Sequence, residues 1–143
     1  MSSTPPAEYN KTLPMVTPEN ERYWQGARDH ELWLRNCRSC DRTYFYPRDI
    51  CPTCGGRDVE WKQVSGRATL YTYAIVHRAP SPAFADIAPY VTAIVDLEEG
   101  GRMMTNLVDV EPDPATITVG MPLQVTFDDV TPEVTLPKFR PAG

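Results

Sequence analysis

The chain has no apolar run approaching the ~20 residues that a bilayer-spanning helix needs, so no membrane segment is expected. Its opening, Met1-Ser2-Ser3-Thr4-Pro5-Pro6, has neither a basic start nor an apolar stretch and does not read as a signal peptide. A cytoplasmic protein follows as the expectation. Basic residues are also in deficit: 14 Lys and Arg face 19 Asp and Glu, giving a net charge of −5 and a pI near 5.0. A polyanion is therefore a poor partner, because phosphate neutralisation supplies most nucleic-acid affinity. There are two histidines, His30 and His77, and four cysteines, all between residues 37 and 54. If a metal takes those thiols, no nucleophile–base pair is left for covalent catalysis.

Proline, by contrast, is plentiful. Fifteen prolines in 143 residues argue against a helical bundle, since proline removes a backbone donor and breaks interior helices. The segment 1–16 is polar and proline-bearing and reads as a surface or loose extension. Thr17-Pro18-Glu19 reads as a helix start with Thr17 as cap, and Tyr23, Trp24, Ala27, Leu32 and Leu34 supply an apolar face. The expectation is a helix or helix pair over 18–34, covering a core edge or meeting a partner.

From Gly66 the character turns to β. Strands are expected at Ala68–Val76, Tyr90–Leu97, Arg102–Val110 and Leu123–Asp128, with a fifth at Val134–Leu136 and a tail at 137–141. Glycines 100 and 101 supply the positive φ of a hairpin turn. The reading is a mainly β protein in three parts: an N-terminal extension and helix (1–34), a zinc ribbon (35–63) and a five-stranded OB-fold barrel with its tail (64–143).

The four cysteines follow the pattern Cys37-x2-Cys40-x10-Cys51-x2-Cys54. Two residues between ligands let a tight turn aim both sulfurs at one ion while backbone amides stabilise thiolate charge. Two such turns complete a tetrahedral S4 shell with no open position, which is the arrangement of a structural zinc site. Iron in a rubredoxin-like site is the competing metal. Gly55 and Asp41 occupy the positions that call for a left-handed residue.

The remaining candidates are weaker. Asp96, Glu98, Glu99, Asp128 and Asp129 read as solvated charge rather than catalytic carboxylates, and His30 as a solvated helix-end residue. His77 reads as a barrel-rim residue bound to backbone rather than a base. Tyr71 and Tyr73 share one strand face by alternation, as base-stacking aromatics do, but from residue 61 onward 6 basic residues face 10 acidic ones. Packing is the better account. The proline-punctuated loop 79–89, carrying Phe84 and Ile87, is either an ordered loop or part of a partner surface. Arg78, Arg102, Lys138 and Arg140 read as ordinary surface cations.

Taken in order, several segments resemble the DUF35 family, a rubredoxin-like zinc ribbon followed by an OB-fold. They are Cys37-Arg-Ser-Cys-Asp-Arg-Thr-Tyr-Phe-Tyr-Pro-Arg48, Cys51-Pro-Thr-Cys-Gly55, Ser65-Gly66, Ala88-Pro-Tyr-Val91, Gly101-Arg-Met-Met-Thr-Asn-Leu-Val108, Gly120-Met-Pro122 and Leu136-Pro-Lys-Phe-Arg-Pro141. The resemblance implies a non-catalytic subunit of a thiolase-like (lipid-transfer-protein-type) enzyme acting on acyl-CoA. It would support thiolase or retro-aldol C–C cleavage, as in steroid side-chain degradation, with a MaoC-like hydratase nearby and a share in channelling acyl-CoA. It implies one structural zinc and no catalytic residue here. His77, Arg78, Phe84, Tyr90, Arg102, Lys138, Phe139 and Arg140 become the candidate acyl-CoA or partner contacts, with His77 as a thioester contact and the loop 79–89 as part of that surface. The cations Arg78, Arg102, Lys138 and Arg140 are the ones that could meet CoA phosphates. The chain is either a free-standing subunit or a domain of a longer protein. A single-stranded nucleic-acid module remains the alternative function.

Overall fold

A computed structural model describes residues 9–142. Residues 1–8, half of the N-terminal segment 1–16, thus lie outside the described residues. One helix, α1 (Glu21–Arg28), precedes eight strands. The helix starts later than Thr17 and stops well before residue 34. Asn20, not Thr17, is the N-cap, and its side chain is spent on tertiary ties: Oδ1 accepts from Thr17 N, and Nδ2 donates to Met15 O and Tyr46 Oη. At the other end His30 takes the left-handed conformation (φ 59°). His30 N bonds Ala27 O and Glu31 N bonds Gly26 O, the paired bonds of a Schellman stop. Leu32 and Leu34, two residues apart, then belong to a strand. Gly26 is required where that strand crosses the helix, because a Cβ there would sit 2.4 Å from the Trp33 ring.

Strands β1 (Leu32–Cys37), β2 (Arg42–Tyr44) and β3 (Val59–Val64) form an antiparallel ribbon in the order β2-β1-β3. Strands β4 (Arg67–Val76), β5 (Tyr90–Leu97), β6 (Arg102–Leu107), β7 (Pro122–Asp129) and β8 (Thr135–Pro141) close a barrel in the order β4-β5-β6-β8-β7. This is the expected mainly β protein with a five-stranded OB-fold. Alternation sets the core: Val91, Ala93, Val95 and Leu97 of β5 are all buried while their neighbours are half-exposed. The ribbon shares that core. Leu32, Leu34 and Val64 pack in one cluster with Leu70, Val95 and Phe139 of the barrel.

Four expectations are corrected by tertiary contacts. The third barrel strand ends at Leu107 rather than Val110, and Asp109 beyond it has φ 57°. The residues read as a tail form most of β8, and Phe139, expected at a partner surface, is fully buried in the barrel. Two prolines are tolerated in β8 because it pairs with β6 at a single rung, Leu107↔Phe139, so a missing donor on that side costs little. A bulge between Leu70 and Thr72 shifts the parity of β4. Tyr71 therefore faces out, 46% exposed, while Tyr73 packs on the core, and the two do not share a face.

The acidic hairpin tip is not free in solvent either. Glu99 Oε2 accepts from Ser65 N at 2.8 Å, at the passage from ribbon to barrel, and Glu98 holds Arg67. Gly100 and Gly101 (φ 112° and 93°) let the tip lie against the backbone of Thr43 and Tyr44 in β2. His30 and Asp129 are likewise paired at 3.0 Å, with the imidazole stacked on Phe127.

Phe139→Ala tests the placement of β8. Removing a fully buried ring from the shared core is expected to cost about 3–5 kcal/mol in a denaturant titration. A loss below ~1 kcal/mol, the scale of a surface change, would show that this segment is a tail after all.

Candidate metal centre

The ribbon has too little apolar material at its far end to hold two loops together. Its second cluster contains Cys37, Tyr44 and Cys51, with Cys40 and Val59 packed against it. Cys37 ends β1 and Cys40 lies in the turn before β2, while the second pair lies in the loop before β3. Asp41 (φ 52°) and Gly55 (φ 74°) adopt the left-handed conformation read from the sequence.

The four sulfurs lie within 4.8 Å of one another. Cys37 Sγ is 3.6 Å from Cys54 Sγ, and Cys40 Sγ is 3.7 Å from Cys51 Sγ. A tetrahedral shell with metal–sulfur bonds of about 2.3 Å has edges of about 3.8 Å, so the donors fit one zinc-sized ion. All four are free thiols. Thr53 N donates to Cys51 Sγ and Gly56 N to Cys54 Sγ, each at 3.4 Å. Backbone hydrogen bonds hold the Cys51 thiol down to about 6, whereas burial, reinforced by the neighbouring sulfurs, pushes Cys40 up to about 12. One thiolate thus forms readily, and a bound cation would supply the charge that keeps the other three deprotonated. Four protein ligands leave no place for a reacting water, so the ion's role is to fasten β1, β2 and the loop before β3.

The other candidate residues divide. Tyr90 and Lys138, with Ile87, line a groove of about 290 Å³ at one end of the barrel. Phe84 stacks on Tyr90 at 5.8 Å, and His77 and Arg78 are exposed just beyond the end of β4. Arg102 is elsewhere: it lies opposite Asp96, five rungs of the β5–β6 ladder from Leu107, roughly 16 Å at the usual strand rise. Three of the four cations expected to meet CoA phosphates already have carboxylates. Lys138 is 2.6 Å from Asp128, Arg102 is 2.6 Å from Asp96, and Arg140 is 3.9 Å from Asp109. Sequence reasoning missed the ties of Lys11, which reaches Asp86 at 3.1 Å and lies over the Phe84 ring, strapping the N-terminal segment to the proline loop. No local pattern marks a contact across 75 residues. Among the described residues no helix is long and apolar enough to cross a membrane.

Comparison with known proteins adds independent evidence. Residues 24–60 match the rubredoxin-like zinc ribbon domain of ChsH2, and residues 61–128 match its C-terminal OB-fold domain. A DUF35 domain-containing scaffold protein of Methanocaldococcus jannaschii is 41% identical over 109 residues, covering 74% of each chain. A Thermomonospora curvata protein named "Probable enoyl-CoA hydratase alpha subunit" is 37% identical over 90% of this chain, which spans only 39% of that relative's length. Among solved structures, a chain of the Ltp2-ChsH2(DUF35) aldolase superposes with a TM-score of 0.78 at 36% identity, covering 92% of this chain and 100% of that one.

Purified chain is expected to carry about one metal ion, and Cys37→Ser or Cys51→Ser to bring that close to zero and lower the melting temperature. Elemental analysis reads the ion, and absorbance in the visible separates iron from zinc. Acidification is expected to release it, because each thiolate takes up a proton as the pH falls; retention of full occupancy in strong acid would contradict four-thiolate binding. With ribbon and barrel both matched in order, and a scaffold-protein relative 41% identical and covered over 74% of its length, the chain belongs to the DUF35 family.

Proposed function

We propose that the chain is a non-catalytic subunit that docks on a thiolase-like enzyme acting on acyl-CoA and supports its C–C bond chemistry. The observation that carries this reading is the superposition on the whole DUF35 chain of an aldolase complex. The side chains agree with it. The four thiols form one cluster, and among the described residues neither His30, which bonds Asp129, nor His77 has a serine, threonine or cysteine side chain within hydrogen-bond distance to activate. A MaoC-like hydratase in the same assembly, and an acyl group of steroid origin, are the finer parts of the proposal, in keeping with the hydratase name of one relative. Direct contact with acyl-CoA is a further part. The groove by Ile87, Tyr90 and Lys138 is the best-formed candidate, but its cation is already neutralised by Asp128. Thioester binding is therefore expected only jointly with the enzyme.

The nucleic-acid alternative loses ground on geometry. Its two stacking tyrosines point to opposite sides of β4, and the outward one is covered by the Arg102 guanidinium at 3.6 Å.

Co-expression with a thiolase-like enzyme encoded in the same genome tests docking. One co-eluting complex is expected, with enzyme activity falling when this chain is left out. Separate elution of a fully active enzyme would sink the reading. Calorimetry with an acyl-CoA is expected to give saturable heat with the complex and none with the chain alone; saturable heat with the chain alone would remove the joint-site part.

A further inference from the structure

The outer face of β4, β5 and β6 carries a patch of uncharged side chains on a chain whose net charge is −5. Across it Thr72 stands opposite Ile94 and Ile94 opposite Met104; in the next rung Ala74 stands opposite Thr92. Together they line a shallow apolar depression of about 250 Å³. The one cation and one acid at its edge cancel: the Arg102 guanidinium lies flat on Tyr71 and bonds Asp96 at 2.6 Å. Met104 is 70% exposed. It also lines a second groove of about 210 Å³, between α1, the Phe45–Tyr46 segment, β6 and β8, so the two depressions adjoin at this side chain.

That second groove carries one unspent hydrogen bond. Tyr46 Oη accepts from Asn20 Nδ2 at 2.9 Å and from Trp24 Nε1 at 3.3 Å, which occupies both lone pairs. The hydroxyl proton finds no acceptor among the described residues. An apolar floor with a fixed donor at its margin, framed by Trp, Tyr, Met and a stacked Arg, has the composition of a protein interface core.

We propose that these two adjoining depressions, centred on Met104, are where the chain docks the thiolase-like enzyme, and that the Tyr46 hydroxyl donates a hydrogen bond to a carbonyl on that enzyme. The inference rests on the docking reading above and adds the face. Charge selects the occupant. CoA phosphates would find here only cations that already have carboxylates, Arg102 with Asp96 and Lys138 with Asp128. A second copy would bring another net charge of −5 against the first. An enzyme surface that is apolar at its centre and neutral to basic around it meets neither obstacle.

The test measures affinity between this full-length chain and the thiolase-like enzyme by biolayer interferometry, with melting curves to check each variant's fold. Met104→Glu is expected to weaken binding roughly tenfold or more, as truncation or charging of an interface anchor does. Met104→Ala, which adds no charge, is expected to give a smaller loss in the same direction, and Tyr46→Phe a few-fold loss. Val119→Glu, a charge placed at another exposed apolar residue, is expected to leave affinity unchanged. If the unaltered chain binds and both Met104 variants bind equally well, the proposed face is wrong and docking stands. If the unaltered chain does not bind, docking fails and the inference with it. If sedimentation shows a dimer of this chain that Met104→Glu dissociates, the face belongs to a second copy.

Discussion

Strand β1 is held at two ends by two different kinds of force. At its C-terminal end Cys37 enters a cluster of four sulfurs spaced for one tetrahedral ion. At its N-terminal end Leu32 and Leu34 are sunk in the core of the barrel. A ribbon of strands three to six residues long cannot bury enough apolar surface to order itself. Coordination supplies what burial lacks at one end, and the barrel supplies burial at the other. Releasing either anchor loosens β1, and with it β2 and β3, which pair with nothing else in the ribbon sheet.

The same logic decides which features were legible in the sequence. The cysteine spacing is a short-range geometric rule, so the ligands, and even the left-handed residues Asp41 and Gly55, could be read residue by residue. Strands β4, β5 and β7 announce themselves through β-branched and aromatic runs bounded by turn residues. The helix end was misread because Leu32 and Leu34 continue an apolar pattern, and a histidine, rather than glycine, takes the left-handed stop. Tyr71 and Tyr73 were placed on one face because alternation assumes an uninterrupted ladder, and a bulge is set by pairing with β5. Phe139 sits between Lys138 and Arg140 in a proline-flanked segment whose local chemistry is that of a tail. Only the closure of the barrel makes it core.

Charge follows a related pattern. Exposed cations that look available in the sequence are largely matched in space: Arg67 with Glu98, Arg102 with Asp96, and Lys138 with Asp128. Exposed pairs of this kind add little stability. Their effect on recognition is larger, because they remove free positive charge from the barrel while leaving the net acidity of the chain intact. Sites for phosphate become scarce, and the apolar depression around Ile94 and Met104 stands out by contrast.

A subunit that performs no chemistry can still matter to a reaction if it presents a surface with fixed geometry, and the junction of the two lobes bears on that. The β5–β6 hairpin, whose strands carry Ile94 and Met104, ends in a tip that is bonded to Ser65 through Glu99 and laid against β2 through two glycines. The candidate docking face is thus continuous with the element that touches the ribbon, and the ribbon is held by the four sulfurs. A shift of the hairpin would have to break the Glu99 bond and lift the tip from Thr43 and Tyr44. Under that constraint the four-sulfur cluster, the shared core and the candidate docking face form one mechanical unit, in which docking would lose little conformational freedom because the face is ordered beforehand.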